Sequence, residues 1–167
     1  NFFFLLGFCF SFFCHFLFLF MAEYCDMKKI MIQKDLDLPQ EKISTLSDFV
    51  QFCEEALQIK NGYKVFVVSN REPVGIQTTA YYSPVNRNIA IMAKDRALVD
   101  VCRSIAHEMT HMMQDETGLL TGHIQDAGGF HEDQANAKAG ELIKRFAKSK
   151  VGRRAIYERK FFTQFKY

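Results

Sequence analysis

The feature that most constrains this chain is an amphipathic stretch running from Ala97 to about Glu116. Its apolar residues recur at helical spacing on one side, and Gly118 follows as a stop signal. These residues are Leu98, Val101, Ile105, Met109 and Met112. We therefore predict a long helix with one buried face, against which the rest of the chain packs.

The same helix carries two histidines, His107 and His111, four residues apart. Residues at this spacing share one helix face, so both imidazoles can bind one metal ion. Glu108 lies beside them, and a carboxylate there can take a proton from metal-activated water. The string H-E-x-x-H arises by chance in about one of a few hundred chains of this length, but here it lies in the middle of an unbroken helical pattern. The sequence predicts a Zn²⁺ site with Glu108 as general base.

A catalytic zinc site needs a third protein ligand and one open position. The stretch from His131 to about Lys148 predicts another long helix with an acidic first turn. This turn places Glu132 about twenty residues beyond His111. We predict Glu132 as the third ligand, with Asn136 on the same face to hold a ligand in orientation.

Plainer interpretations of these residues remain open. His107 and His111 could be structural histidines bonded to carbonyl groups, and Glu132 could simply stabilise a helix N-terminus. The substitute third ligands are His123, His131 and Asp133. The side chains that could donate a hydrogen bond to an oxyanion are His123, His131, Tyr81 and Tyr82.

The upstream segments predict one more helix and a small sheet. Apolar residues at helical spacing between Thr45 and Lys60 indicate an amphipathic helix. Three apolar runs, Tyr63 to Ser69, Ile76 to Tyr82 and Asn88 to Ala93, are typical of strands. Turn-forming residues separate the last two runs, so we expect a short, mostly antiparallel sheet. The order of elements predicts a single α+β domain over residues 21 to 148.

The second helix carries a further pattern. Its string is Glu132-x-x-Ala135-Asn136, followed by Ala139 and Leu142-Ile143. Together with the H-E-x-x-H string, it resembles the gluzincins, and among them the small ImmA/IrrE-type and phage-encoded metallopeptidases. The resemblance spans roughly residues 76 to 146. It departs from the metzincin pattern, because Gln114 and Thr117 stand where that pattern has Gly and His.

This resemblance implies a zincin-like domain, in which the active-site helix is followed by a helix that bears the third ligand. It implies that His107, His111 and Glu132 bind zinc and that Glu108 is the base. The implied activity is hydrolysis of peptide bonds in a protein or peptide substrate.

The first twenty residues contain ten Phe, four Leu and no formal charge. They are long enough for a transmembrane helix, with Lys28 and Lys29 downstream as anchors. A signal peptide is disfavoured, because no basic leader or small-residue cleavage site is visible. Phe, Leu, Ser and Cys share T-rich codons, so a pyrimidine-rich stretch upstream of a gene would translate into a segment of this composition. We therefore predict that residues 1 to 20 are an upstream translation artefact with Met21 as the start, and a membrane anchor is the alternative.

Charge is distributed unevenly along the chain. Residues 1 to 143 hold 12 Lys and Arg against 18 Asp and Glu, whereas residues 144 to 167 hold 9 against 1. Residues 149 to 167 form a basic aromatic tail that could bind a phosphate backbone. We favour a solvated helix end, because the whole domain is not strongly basic and no nucleic-acid-binding motif is present.

We therefore expect a monomeric zinc metalloendopeptidase. The five cysteines are odd in number and include no C-x-x-C pair, so we expect ordinary thiols of a reducing compartment and a cytoplasmic protein. Anchoring to a membrane through residues 1 to 20 is the alternative. A SprT-like protease acting on DNA-bound proteins is the second hypothesis, although the downstream cysteine pairs of that family are missing. A non-catalytic zinc-stabilised interaction module is the third, and Glu108 argues against it because a structural site needs no base.

Overall fold

The structure is a computed structural model that describes residues 29–36, 38–70, 78–120 and 128–157. Its strands are β1 (Ile30–Ile32), β2 (Lys64–Val68), β3 (Ala80–Ser83) and β4 (Asn88–Met92). Its α-helices are α1 (Gln40–Leu57), α2 (Leu98–Glu116) and α3 (Phe130–Ser149). A short 3-10 helix, Arg153–Tyr157, follows α3. The expected α+β class is confirmed.

The three predicted helices are present, with shifted ends. Helix α1 begins at Gln40, five residues before the predicted start at Thr45. It ends at Leu57, where Gln58 adopts a left-handed conformation with φ of 55° and donates its backbone N–H to the carbonyl of Glu55. Helices α2 and α3 agree with the predicted ranges to within a residue or two.

The sheet is mixed, so the expectation of a mostly antiparallel sheet was wrong. The strand order is β1-β2-β4-β3, and both β1–β2 and β2–β4 pair in parallel. Only β3 and β4, which are joined by the turn over residues 84–87, pair antiparallel. Helix α1 is the crossover that connects β1 to β2, and such a connection is what parallel neighbours require. The sequence reading missed β1, because three residues are too few to show a strand pattern.

Helix α2 lies at the centre of the domain. It contacts α1, α3, β3 and β4. The largest fully buried side chains come from all these layers, and they include Phe49, Phe146, Ile89, Ile105 and Leu142. The rings of Phe49 and Phe146 meet edge-on, with centroids 5.1 Å apart, which joins α1 to α3. The buried face predicted for α2 is therefore surrounded by packed elements.

The 3-10 helix lies beyond residue 148, where we placed the end of the domain, and it packs against the core. Ile156 is fully buried within the core cluster. The guanidinium of Arg153 lies 4.3 Å from the centroid of the Phe146 ring, and it donates a hydrogen bond to Ser149. Residues 153–157 thus contribute to the packing of α3.

The predicted translation artefact and its alternative, a membrane anchor, both concern residues 1 to 20, which lie outside the described residues. None of the helices in the described part of the chain combines the length and the apolar character that a membrane crossing requires. The two cysteines that fall in described helices, Cys53 and Cys102, are buried free thiols.

We expect Ile156→Ala to lower the free energy of unfolding by about 2 to 5 kcal/mol, because the substitution leaves a cavity in the core. Urea denaturation followed by circular dichroism measures the change. The matched control is Val151→Ala, since Val151 is fully exposed and its loss should cost less than about 0.5 kcal/mol. Equal effects of the two substitutions would show that the 3-10 helix does not belong to the folded domain.

Candidate metal centre

Three side chains from two helices converge on one point. His107 and His111 project from the same face of α2, and Glu132 reaches them from the first turn of α3. The Nε2 atoms of the two histidines are 3.0 Å apart. The Glu132 carboxylate lies 3.2 Å from Nε2 of His107 and 2.9 Å from Nε2 of His111. The structure thus brings together the three residues that the sequence marked as ligands.

These separations fit a single small cation. Bonds of about 2.0 to 2.1 Å in a tetrahedral zinc site place neighbouring ligand atoms about 3.3 Å apart. The three observed distances lie between 2.9 and 3.2 Å, and the two that involve Glu132 run to different oxygens of its carboxylate. One ligand atom from each residue lies within 4.8 Å of the other two, so the group is compact enough to surround one ion. Two imidazoles and one carboxylate are also a ligand set found in catalytic zinc sites.

Gln114 determines which nitrogen of His111 carries the proton. Its amide nitrogen donates to the backbone carbonyl of His131 at 3.1 Å and to Oε1 of Gln134 at 2.8 Å. Because a carbonyl oxygen can only accept, the amide orientation is fixed, and Oε1 of Gln114 faces Nδ1 of His111 at 2.8 Å. Nδ1 must therefore be the donor. In neutral His111 this leaves a lone pair on Nε2, directed at the other two ligands.

This tautomer creates an electrostatic requirement at the centre. A lone pair on Nε2 of His111 lies 2.9 Å from a carboxylate oxygen of Glu132, and an ionised carboxylate is also only an acceptor. Two acceptors at this distance repel each other unless a proton or a metal cation lies between them. The arrangement of His111, Glu132 and Gln114 is therefore built to hold positive charge.

The surroundings of His107 favour its neutral, metal-binding form. Burial lowers the pKa of His107 below its usual value and His111 lowers it further, while Glu132 and a hydrogen bond that the ring donates to the Asn136 side chain oppose the shift. Neutral imidazole is the form that binds a metal. Asn136 thus contacts a ligand side chain, in the position from which it can orient that ligand.

Glu108 lies on α2 between the two histidines and is 8% exposed. Burial and, to a smaller extent, the negative charge of Glu132 raise the pKa of the Glu108 carboxyl to about 8. The backbone N–H of Tyr82 donates a hydrogen bond to this carboxylate and partly offsets the rise. The edge strand β3 therefore holds the Glu108 side chain in position.

The other residues considered from sequence are placed differently. The hydroxyl of Tyr82 donates to Asp115 at 2.7 Å, so it is engaged away from the centre, whereas Tyr81 is half exposed. His131 has a buried Nδ1 without a hydrogen-bond partner. Within the part of the chain that the structure describes, neither His131 nor Asp133 joins the metal-ligand group. His123 lies outside the described residues.

Sequence reasoning treated Gln114 only as a departure from the metzincin pattern and missed its contact with His111. The available signal is its spacing. Gln114 lies three residues after His111 and seven after His107, on the same face of α2, where a polar residue interrupts the apolar core. It is fully buried, and a buried amide needs hydrogen-bond partners.

Comparisons of the chain with protein-family models, with curated proteins and with solved structures give no match. The functional interpretation therefore depends on the geometry of the site.

We expect Gln114→Met to lower zinc affinity about 10- to 100-fold, because it removes the acceptor that holds His111 in its tautomer. Gln114→Glu keeps an acceptor oxygen at this place and should retain more affinity than the Met variant. Chelator competition with Zn²⁺, supported by the visible spectrum of the Co²⁺-loaded protein, measures both.

The control for this series is Gln134→Ala, which removes one partner of Gln114 and leaves its contact with His111 intact. Its zinc affinity should stay close to that of the wild type. If the Met variant, folded by circular dichroism, binds zinc as tightly as the control, Gln114 has no orienting role.

Proposed function

We propose that this protein is a zinc-dependent metallopeptidase in which His107, His111 and Glu132 hold the ion and Glu108 is the general base. The observation that carries the proposal is the meeting of two imidazole nitrogens and a carboxylate within 3.2 Å of one another. The Gln114 contact supports it, because it turns the lone pair of His111 toward this point.

Each residue would have a defined role in hydrolysis. A zinc ion held by His107, His111 and Glu132 would lower the pKa of a water molecule and would polarise the substrate carbonyl. Glu108 takes the proton from the attacking water and delivers it to the leaving amine. A carboxyl group whose pKa is raised toward the working pH suits this double role, since it must both accept and release the proton. The Tyr82 N–H and the surrounding core keep its side chain in place.

The sheet supports a peptide as the substrate. Strand β3 is one of the two edge strands of the described sheet, and it contacts α2. An extended peptide laid beside an edge strand gains backbone hydrogen bonds without any requirement on its sequence. Because Tyr82 of β3 also bonds to Glu108, a strand bound there would lie next to the base. We therefore favour an extended segment of an unfolded protein or peptide.

A non-catalytic zinc module is less consistent with these contacts. A metal that serves folding alone is commonly closed by four protein ligands, whereas three converge among the described residues. Burying Glu108 costs free energy, as its raised pKa indicates, and a structural site would gain nothing from that cost. Catalysis provides the reason to keep this carboxylate beside the ligands.

We expect the protein to bind about one zinc per chain and Glu108→Gln to keep the metal while losing nearly all hydrolysis. The amide preserves the shape of the side chain and removes the base. Metal content is measured by atomic emission, and turnover is measured with a fluorescently labelled unfolded protein. Asp100→Asn, an exposed change on the same helix, is the control and should keep full activity.

Two results would contradict the mechanism. Hydrolysis at the wild-type rate by the Glu108→Gln variant would exclude Glu108 as the base. A folded protein that contains no zinc after supplementation would exclude the metal centre.

We expect Glu132→Ala to weaken zinc binding by orders of magnitude, because only two histidines remain. Asn136→Ala should cost about 10- to 100-fold through lost orientation of His107. Asp133→Ala is the matched control, since it removes a carboxylate from the same helical turn that lies outside the ligand group. Zinc affinity by chelator competition ranks the three variants. If the His131→Ala variant loses zinc and the Glu132→Ala variant keeps it, the third ligand is His131, and the site consists of three histidines.

A further inference from the structure

The last turns of α3 and the 3-10 helix line an open cavity of about 600 Å³. It lies at the end of α3 opposite the metal centre, about 24 Å along the helix axis at 1.5 Å per residue between Glu132 and Lys148. Four cationic side chains line it, together with the ring of Tyr157 and the apolar Val151. The four are Lys144, Lys148, Lys150 and Arg154.

The cationic residues of this region divide into two groups. Arg145 forms a salt bridge with Glu141, and Arg153 lies against Asp48 and the Phe146 ring. The four cations that line the cavity, by contrast, form no salt bridge within the described ranges. The sequence holds no acidic residue from 142 to 157. The unpaired charges are thus concentrated around one concavity.

Ordinary helix capping accounts for only part of this charge. The C-terminus of α3 carries about half a negative charge, which one lysine in the last turn would offset, and Lys148 occupies that turn. Lys150 and Arg154 lie beyond the helix end. Several like charges around one cavity repel one another, and an anion bound among them would remove this repulsion.

We propose that this cavity binds single-stranded nucleic acid, with the four cations on the phosphates and one base against Tyr157. The Tyr157 side chain is 46% exposed, so its ring is available for stacking. The cavity is open to solvent, and its volume of about 600 Å³ leaves room for a base splayed from a single strand. In a duplex the bases stay stacked inside the helix, so a duplex would contact the four cations through its phosphates and would not stack a base on Tyr157.

The sequence that follows keeps the same electrostatic sign. Residues 158 to 167 contain Arg159, Lys160 and Lys166 against the single acid Glu158. A polyanion is therefore attracted to this end of the chain rather than repelled by its continuation. The experiments below measure the affinity for nucleic acid and not hydrolysis, so their outcome is independent of the metal centre.

The first experiment measures binding of a fluorescein-labelled 20-nucleotide oligo(dT) to the full chain by fluorescence anisotropy over a salt series. Each phosphate contact on a single strand contributes about 0.7 to the salt slope. Four contacts should give a slope of about −3 in log Kobs against log salt. Absence of binding at low salt, about 50 mM, would overturn the proposal.

The matched variants locate the site. Substituting Gln at Lys148, Lys150 and Arg154 together should reduce the slope to about −1 and the affinity at low salt at least tenfold. The control removes the same charge elsewhere by substituting Gln at Lys34, Lys94 and Arg103, which are exposed in other elements. If the two triple variants lose the same affinity for oligo(dT), the attraction depends on net charge alone, and the assignment of binding to the cavity is overturned.

The role of Tyr157 separates a nucleic acid from other polyphosphates. Tyr157→Leu should weaken oligo(dT) binding about tenfold and leave the salt slope unchanged, because stacking releases no counterions. Binding of inorganic polyphosphate should not respond to this substitution, and a duplex of the same length should bind more weakly than the single strand. Equal affinity for polyphosphate and oligo(dT), with no effect of Tyr157→Leu, would overturn the assignment to nucleic acid.

Discussion

The buried amide of Gln114 is the interaction on which the centre of this fold depends. It reaches His111 on its own helix and both His131 and Gln134 on the next, so one side chain sets the tautomer of a ligand and the position of the helix that carries Glu132. Without hydrogen bonds, a fully buried amide would cost about 1 to 3 kcal/mol or more. One buried side chain thus connects α2 with the beginning of α3 and also contacts a residue of the proposed metal site.

Helix α2 must serve the core and the site at once, and this explains where its polar residues lie. Its apolar face contacts α1, β3 and β4, while the ligand face is covered by the first turn of α3. Glu108 is buried between these two faces, where its carboxylate is destabilised, and only the Tyr82 N–H compensates from the protein side. A bound cation would compensate further. The proposed base thus lies where burial disfavours its charged form.

The helices and the ligand triad could be predicted from the sequence, because both depend on local spacing. The His107 and His111 pair follows from helical periodicity, and Glu132 from the acidic turn that opens the next periodic stretch. The sheet could not be predicted in the same way. The parallel pairs β1–β2 and β2–β4 join strands that are separated in the sequence by α1 and by β3, respectively. The three residues of β1 carry no local pattern that indicates a partner strand. Gln114 was missed because its three partners come from two helices.

The direction of α3 gives a physical reason why a carboxylate suits the position of the proposed third ligand. The N-terminus of a helix carries about half a positive charge, which opposes a cation bound beside the first turn. If an imidazole took the place of this carboxylate, a divalent cation would have only neutral ligands and would face the positive end of the helix. Glu132 supplies a full negative charge at this end, and Asp133 adds a second one in the same turn. The polarity of one helix thus favours the mixed histidine and carboxylate set over three histidines.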